Sequence, residues 1–381
     1  MDSRIRNLKT YPMVLLQRRK EELLARGLEV FDFGTGDPRE PTPAFIREAL
    51  KEAVPEVSQY PSVAGELGLR EAFAGFFERR FGVRLDPDRE VLPTRGSKEA
   101  IFHLPLVLID PSEDRRLVVL PEPGYPVMEI GGLYAGAELW VHRLDEGNGY
   151  LMHPEEVPPE VLDRAALVWL NYPNNPTGRE MPAEVFETWV RARDRHGFVL
   201  CSDECYVDLY FGEPPRSLLE FGRKGCLAFH SLSKRSGMTG YRSGIVAGDP
   251  DLLTLYRAQR AAFGQAMTVW VQRASAAAWN DDRHAEERRR VFAAKRNLMA
   301  GGLAARGLEV FGTSATFYLW LRVPGGFDGE AYAARLAEEG ILVSPGPFFG
   351  RGQEDRIRVA LVPDLEACGK ALERWPDARG S

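Results

Sequence analysis

From about residue 90 to residue 250 the chain repeats one rhythm, a short and nearly continuous apolar run followed by a stretch with helical spacing. Seven such runs read as strands, at 90–94, 117–120, 138–142, 167–171, 198–202, 227–230 and 244–247. A strand that is apolar on both faces must be covered on both, and strands joined through helices run parallel. The pattern therefore predicts an α/β fold with a mostly parallel seven-stranded sheet between helices. Helical patterns at 98–108 and 182–196 suit the crossovers, and the second opens on Pro182 and stops at Gly197.

The C-terminal part reads differently. A charged helical stretch at 282–306 leads to strand-like 308–311 and 317–323, a helix at 329–339, strands at 341–343 and 356–361, and a closing helix. This predicts a smaller α+β domain, which the N-terminal arm joins through strand-like 29–33. The expected division is a large domain over 45–279 and a small one made of 1–44 and 280–381. A chain of 381 residues, 44% hydrophobic, is long enough to bury both cores. The heptapeptide A-R-G-L-E-V-F occurs twice, at 25–31 and 305–311, but its flanks differ. It reads as a favoured helix-to-strand junction rather than a duplication.

A net charge of −6 and a pI near 5.7 argue against a nucleic-acid or anionic-membrane binder, which needs a basic face. The first residues hold no apolar signal core and no run of apolar residues is long enough to span a bilayer, so a cytoplasmic protein is expected. Cys201, Cys205, Cys226 and Cys368 fit no disulfide framework and are expected as free, mostly buried thiols. The six histidines show no ligand spacing, and no metal is expected.

Four stretches fall at or just past the C-terminal ends of the expected strands, where open α/β sheets place their ligands. T-R-G-S-K-E-A (94–100) offers free N–H groups at a helix start, an anion cradle or a plain N-cap. N-Y-P-N-N-P-T-G (171–178) is a stiff turn that either aims the Asn175 amide or only bonds itself. S-D-E-C-Y (202–206) ends a buried strand on Asp203, a carboxylate in want of a cation; a structural ion pair would also satisfy it. H-S-L-S-K-R-S-G-M-T-G-Y-R-S-G (230–244) places Lys234 after an apolar run. A lysine in a desolvated pocket loses basicity and becomes a nucleophile toward carbonyl groups, whereas an exposed loop lysine is the commoner fate. One ligand answers all four: a phosphate for Gly96, Ser97, Lys98, Ser231 and Ser233, a carbonyl for Lys234, a ring nitrogen for Asp203, and an oxygen for Asn175 and Tyr206. Pyridoxal 5′-phosphate has these groups.

With G-T-G-D-P (34–38) and Y-P-S-V-A-G-E-L-G-L-R-E-A (60–72), these motifs resemble the class I/II aminotransferases, the fold-type-I pyridoxal-phosphate enzymes, over essentially the whole chain. The resemblance implies that Lys234 bonds the cofactor aldehyde and later moves a proton at the substrate Cα. It implies that Asp203 keeps the ring nitrogen protonated, that Tyr206 and Asn175 bind the ring oxygen, and that Tyr125 stacks on the ring. Gly96, Ser97, Lys98, Ser231, Ser233 and Arg242 would hold the phosphate, and Tyr60 would reach the phosphate of a second subunit, which implies a homodimer with shared sites. Arg358, in R-I-R-V-A-L-V, matches the arginine that grips the substrate carboxylate, a task suited to its planar fork. Arg356 shares its strand face, so spacing alone does not choose between them; Gly36 would add a backbone N–H. Ser243 departs from the small apolar residue of the general signature. That residue and several longer stretches, among them S-D-E-C-Y-V-D-L-Y-F and A-A-W-N-D-D-R-H, are similar to the N-succinyl-L,L-diaminopimelate aminotransferase subfamily. The implied reaction is ping-pong transfer between that amino acid and 2-oxoglutarate, in lysine biosynthesis. For the distal substrate group, 265–268 and Arg18–Arg19 are candidates, although surface arginines would explain the latter. The alternatives are an aspartate or broad-specificity aminotransferase, a C–S lyase of the same fold, and a cofactor-binding regulator without catalysis. About thirty residues before G-T-G-D-P are too few for the winged helix that such a regulator carries.

Overall fold

The computed structural model describes residues 12–312 and 314–378. All seven expected strands form, in the spatial order Val91–Thr94, Gly244–Gly248, Cys226–Ser231, Val199–Asp203, Ala165–Asn171, Leu117–Glu122, Glu138–Arg143. Only Gly244–Gly248 runs against its neighbours; the other pairings are parallel. Side chains alternate across this sheet, so consecutive residues feed two separate cores. Val168, Leu170, Cys226 and Ala228 meet Phe73, Phe77, Trp189 and Trp279 on one face. Leu167, Trp169, Leu227 and Phe229 meet Ile101, Leu104, Met128 and Tyr256 on the other. That two-sided burial is the physical reason the strands read as unbroken apolar runs.

Helices Ser97–Leu108 and Ala183–His196 form as the sequence indicates, and Pro182 is the N-cap of the second. Helices Ala44–Glu52, Leu67–Phe81, Val127–Tyr134, Pro250–Arg260 and Val269–Trp279 complete the covering layers. The remaining strands build a four-stranded antiparallel sheet, ordered Ser344–Pro345, Arg356–Ala360, Tyr318–Arg322, Glu309–Phe311. Helices Arg283–Ala305 and Leu365–Arg374 supply its core through Phe292, Met299, Leu303, Cys368 and Leu372. Tyr206 and Leu209, from the segment that follows the strand Val199–Asp203, belong to the same core and tie the two sheets together.

One expectation changes. The strand read at 341–343 is two strands: Ile341–Leu342 pairs in parallel with Phe31–Asp32, and Ser344–Pro345 pairs with Ile357 and Arg358. The chain leaves one sheet for the edge of another, a place that tolerates a proline because its missing N–H is not needed there. The repeated heptapeptide is one junction used twice. In both copies the leucine after glycine donates its N–H back to a leucine carbonyl, Leu28 to Leu23 and Leu308 to Leu303, each at 3.2 Å. Among the described residues no helix is long and apolar enough to cross a membrane, and all four cysteines are free.

Candidate active site

The four motif-bearing strand ends meet around one cavity of about 550 Å³. Because Gly244–Gly248 runs the other way, its starting end lies at that same edge, which brings in Arg242 from the preceding turn. Lys234 and Asp203 both line this cavity.

Asp203 closes its strand at 4% exposure. Its carboxylate accepts hydrogen bonds from the Asn171 Nδ2 and the Cys205 backbone N–H, both at 3.3 Å. Among the described residues no lysine or arginine pairs with it, and burial pushes its carboxyl up to about 6. A ligand with a cationic N–H at this point would relieve that. Lys234 sits in the short helix Leu232–Arg235, whose N-cap Ser231 accepts from the Ser233 N–H at 3.1 Å. Its ammonium donates to the Gly36 carbonyl, and burial brings it down to about 8, opposed by the nearby Asp37.

A third cluster suits a phosphate. The helix Ser97–Leu108 points its N-terminus at the cavity, and the hydroxyls of Ser97, Ser231 and Ser233 and the guanidinium of Arg242 line the same wall. Gly96 is the N-cap at φ +80°, and a Cβ there would stand 2.6 Å from Arg242 Nη2, so only glycine lets the guanidinium lie over the helix start. Arg242 itself holds φ +55° and donates to the Thr239 carbonyl at 3.0 Å. Lys98 lies with its Nζ 5.9 Å from the centre of the Tyr125 ring, on the cavity wall. The donor set therefore fits pyridoxal phosphate at three points: anion cradle, amine and buried carboxylate.

The structure separates the two arginines that spacing left open. Arg358 lines the cavity, donating to Asn175 Oδ1 at 3.0 Å and the Gly34 carbonyl at 2.7 Å, and its guanidinium lies between the rings of Tyr318 and Phe349, 4.2 and 4.5 Å from their centres. Arg356 instead pairs with Glu146 and Asp355 over Phe311, outside the cavity. Tyr206 and Asn175 both reach the cavity; the Tyr206 phenol is pushed well above its ordinary range by burial and by its contact with Tyr318, 2.8 Å between hydroxyl oxygens. Tyr60 is fully exposed and does not line its own chain's cavity. Neither 265–268 nor Arg18–Arg19 reaches it: Gln265 bonds Arg95, Arg18 is exposed, and Arg19 pairs with Glu22 and Glu338 on the surface. Ser243 is buried with its hydroxyl 2.7 Å from that of Ser275, which accounts for a polar residue where the general signature is apolar.

Cavity residues outside the stretches singled out in the sequence include Leu16, Tyr318, Ser344, Phe348 and Phe349. Only the tyrosine leaves a signal, a phenol inside the apolar run F-Y-L-W, since a buried hydroxyl needs a partner.

A large sheet with these groups at one edge defines a pyridoxal-phosphate-dependent transferase of amino groups. The chain belongs to the family described as aminotransferase class I and II, whose model matches residues 29–374, and pyridoxal phosphate is its cofactor. An LL-diaminopimelate aminotransferase of Aquifex aeolicus is 36% identical over 378 residues, covering 97% of each chain. Among solved structures, an aminotransferase from Neisseria meningitidis superposes with a TM-score of 0.90 at 34% identity over 98% of both chains. A probable N-succinyldiaminopimelate aminotransferase from Thermus thermophilus superposes at 0.89 with 31% identity, over 95% of this chain and 98% of that one.

Proposed function

We propose that the chain moves an α-amino group between a diaminopimelate-type amino acid and 2-oxoglutarate, in two half-reactions that share one site. The cavity that joins Lys234, Asp203 and Arg358 carries this reading of the chemistry. The substrate class is supported by the names of relatives that match almost the whole chain. The sequence resemblance pointed to the N-succinyl derivative; the free LL-form is the better-supported substrate, with 36% identity to an enzyme named for it against 31% for the succinyl one.

Bound pyridoxal phosphate supplies an aldehyde carbon for the amino group and a conjugated ring that accepts an electron pair. The chain's own residues do the rest. Arg358 fixes the substrate carboxylate with a planar pair of N–H donors. Lys234, with its amine lowered to about 8, would take the proton from the substrate Cα and return it at the carbon that was the cofactor's aldehyde, on the other side of the transferred nitrogen. Asp203 keeps a proton on the ring nitrogen, because an ionised carboxylate in that buried position is stabilised only opposite a cation. Asn175 and Tyr206 bind the ring oxygen, Tyr125 covers the ring, and Ser97, Lys98, Ser231, Ser233 and Arg242 hold the phosphate beside Gly96. Tyr60, exposed on its own chain, reaches the phosphate of a second copy in a homodimer. Residues 45–279 act as the cofactor domain, and 1–44 with 280–381 as the smaller domain.

The test is a half-reaction panel on cofactor-loaded protein, following the loss of the bound aldehyde's absorbance with LL-diaminopimelate, its N-succinyl derivative, aspartate and glutamate in turn. The LL-form should react fastest of the non-glutamate substrates. Faster turnover of aspartate would overturn the substrate assignment. Release of pyruvate and ammonia from cysteine-type substrates would replace transfer with C–S cleavage.

A further inference from the structure

Tyr318 belongs to none of the motifs, yet its ring and hydroxyl touch both halves of the site. It opens the strand Tyr318–Arg322 opposite Ala360, one diagonal step from Arg358 on the neighbouring strand. Its ring lies under the Arg358 guanidinium, 4.2 Å from the ring centre, a cation–π contact in a nearly dry setting since both residues are at least 96% buried. Its hydroxyl lies 2.8 Å from that of Tyr206.

The backbone is arranged to hold it there. Thr316, at φ +65°, accepts the Tyr318 N–H on its hydroxyl at 3.0 Å, and its own N–H is bound to the Leu209 carbonyl, three residues past Tyr206. On the far side the tyrosine oxygen comes so close to Gly36 that a Cβ at that glycine would stand 2.3 Å away. The sequence thus clears space for a hydroxyl, not merely for a ring.

We propose that Tyr318 is a positioning residue that acts through two others: its hydroxyl orients and acidifies the Tyr206 phenol, and its ring supports the Arg358 guanidinium. The logic of the hydroxyl is a proton count, and it rests on the reading of Tyr206 given above. Each phenol has one proton. If Tyr206 gives its proton to the cofactor's ring oxygen, the contact between the two tyrosines requires Tyr318 to donate and Tyr206 to accept. A phenol that accepts a hydrogen bond is itself a stronger donor, so the contact that raises Tyr206 while it donates to Tyr318 has the opposite sign once Tyr206 accepts. Tyr318 thereby draws negative charge off the ring oxygen without touching the cofactor, and the same ring braces the group that holds the substrate carboxylate.

The two roles separate by substitution. In cofactor-loaded Tyr318→Phe the ring remains and the donor is gone. The ring oxygen then keeps more negative charge and holds the adjacent titrating proton more tightly. The pH midpoint of the cofactor's visible absorbance should rise by up to about one unit, with KM for 2-oxoglutarate unchanged. Tyr206→Phe is the reference and should raise the midpoint further. Tyr318→Leu should in addition raise KM for 2-oxoglutarate several-fold, roughly the worth of one buried cation–π contact. A Tyr318→Phe midpoint that stays in place while the Tyr206→Phe midpoint rises overturns this inference and leaves the function intact. If neither moves, the inference falls together with the assigned role of Tyr206. Should Tyr318→Leu not be recovered folded, the Phe variant decides alone.

Discussion

Removing the charge of Asp203 should make the cofactor-free protein more stable at neutral pH even as it cripples the enzyme. In the folded chain the carboxyl is shifted from 3.8 to about 6, with burial the largest cause. That difference of about 2 units corresponds to about 3 kcal/mol. The folded state binds the proton more tightly than the unfolded chain, so stability is lost as pH rises, mainly between about 4 and 6. Above that window the folded protein carries an uncompensated buried charge. Asp203→Asn lacks the charge but places an amide against the Asn171 Nδ2, forfeiting a hydrogen bond worth about 1 kcal/mol. The net expectation at pH 8 is a gain of about 2 kcal/mol for the variant, turning into a loss of about 1 kcal/mol near pH 4 where the wild-type carboxyl is neutral. Urea denaturation of both cofactor-free proteins across this range, at one protein concentration, measures it. The two stability curves should cross. Addition of pyridoxal phosphate at pH 8 should reverse the order, since only the wild type holds the ring proton. Parallel curves with no crossing would refute the claim that Asp203 waits, strained, for a cationic partner.

Lys234→Ala should abolish transamination while the protein still binds pyridoxal phosphate reversibly; borohydride should fix the cofactor to the wild type and not to the variant. In the wild type, the rate of cofactor attachment should climb as pH rises through about 8, where the amine loses its proton, and a rate flat across that range would count against the lowered basicity. Arg358→Lys should raise KM for amino acid and 2-oxo acid alike by roughly 10- to 100-fold, the worth of one charge-assisted hydrogen bond. An unchanged KM would move carboxylate recognition elsewhere.

How far the sequence reveals this molecule depends on how local each cause is. Six of the seven strands of the large sheet are legible because their two-sided burial is written into four or more consecutive residues, the edge strand Glu138–Arg143 being only partly buried, and Lys234, Asp203 and Asn175 are legible because tight turns at strand ends need particular residues in order. The helix Leu67–Phe81 is not: Leu69, Phe73, Phe76, Phe77 and Phe81 are buried on one face, but the opposite face carries Leu67, Gly68, Ala74 and Gly75, so it shows no clean polar stripe. The choice between Arg356 and Arg358 is equally hidden, since both point from one strand face and it takes the distant Glu146, together with Asp355, to draw one of them away. Tyr318 fails for the same reason. Its partners, Tyr206, Gly36 and Arg358, come from three separate parts of the chain, and inside F-Y-L-W a phenol looks like any other core aromatic.

The single reversed strand has a consequence for how this protein tolerates change. Pairing of Ser231 with Gly244 and of His230 with Ile245 staples both ends of the segment 232–243, which carries the reactive amine near one end and the guanidinium of Arg242 near the other. Each crossover between parallel strands has a second turn on the remote side of the sheet, where its helix re-enters the next strand and extra residues can bulge outward without disturbing the reacting atoms. Here the turnaround is itself the reaction chamber's wall. Natural or engineered length variants should therefore cluster in the helix-to-strand turns of the crossovers and be missing from these twelve positions, so a size comparison, with no chemistry measured, would tell working relatives from dead ones.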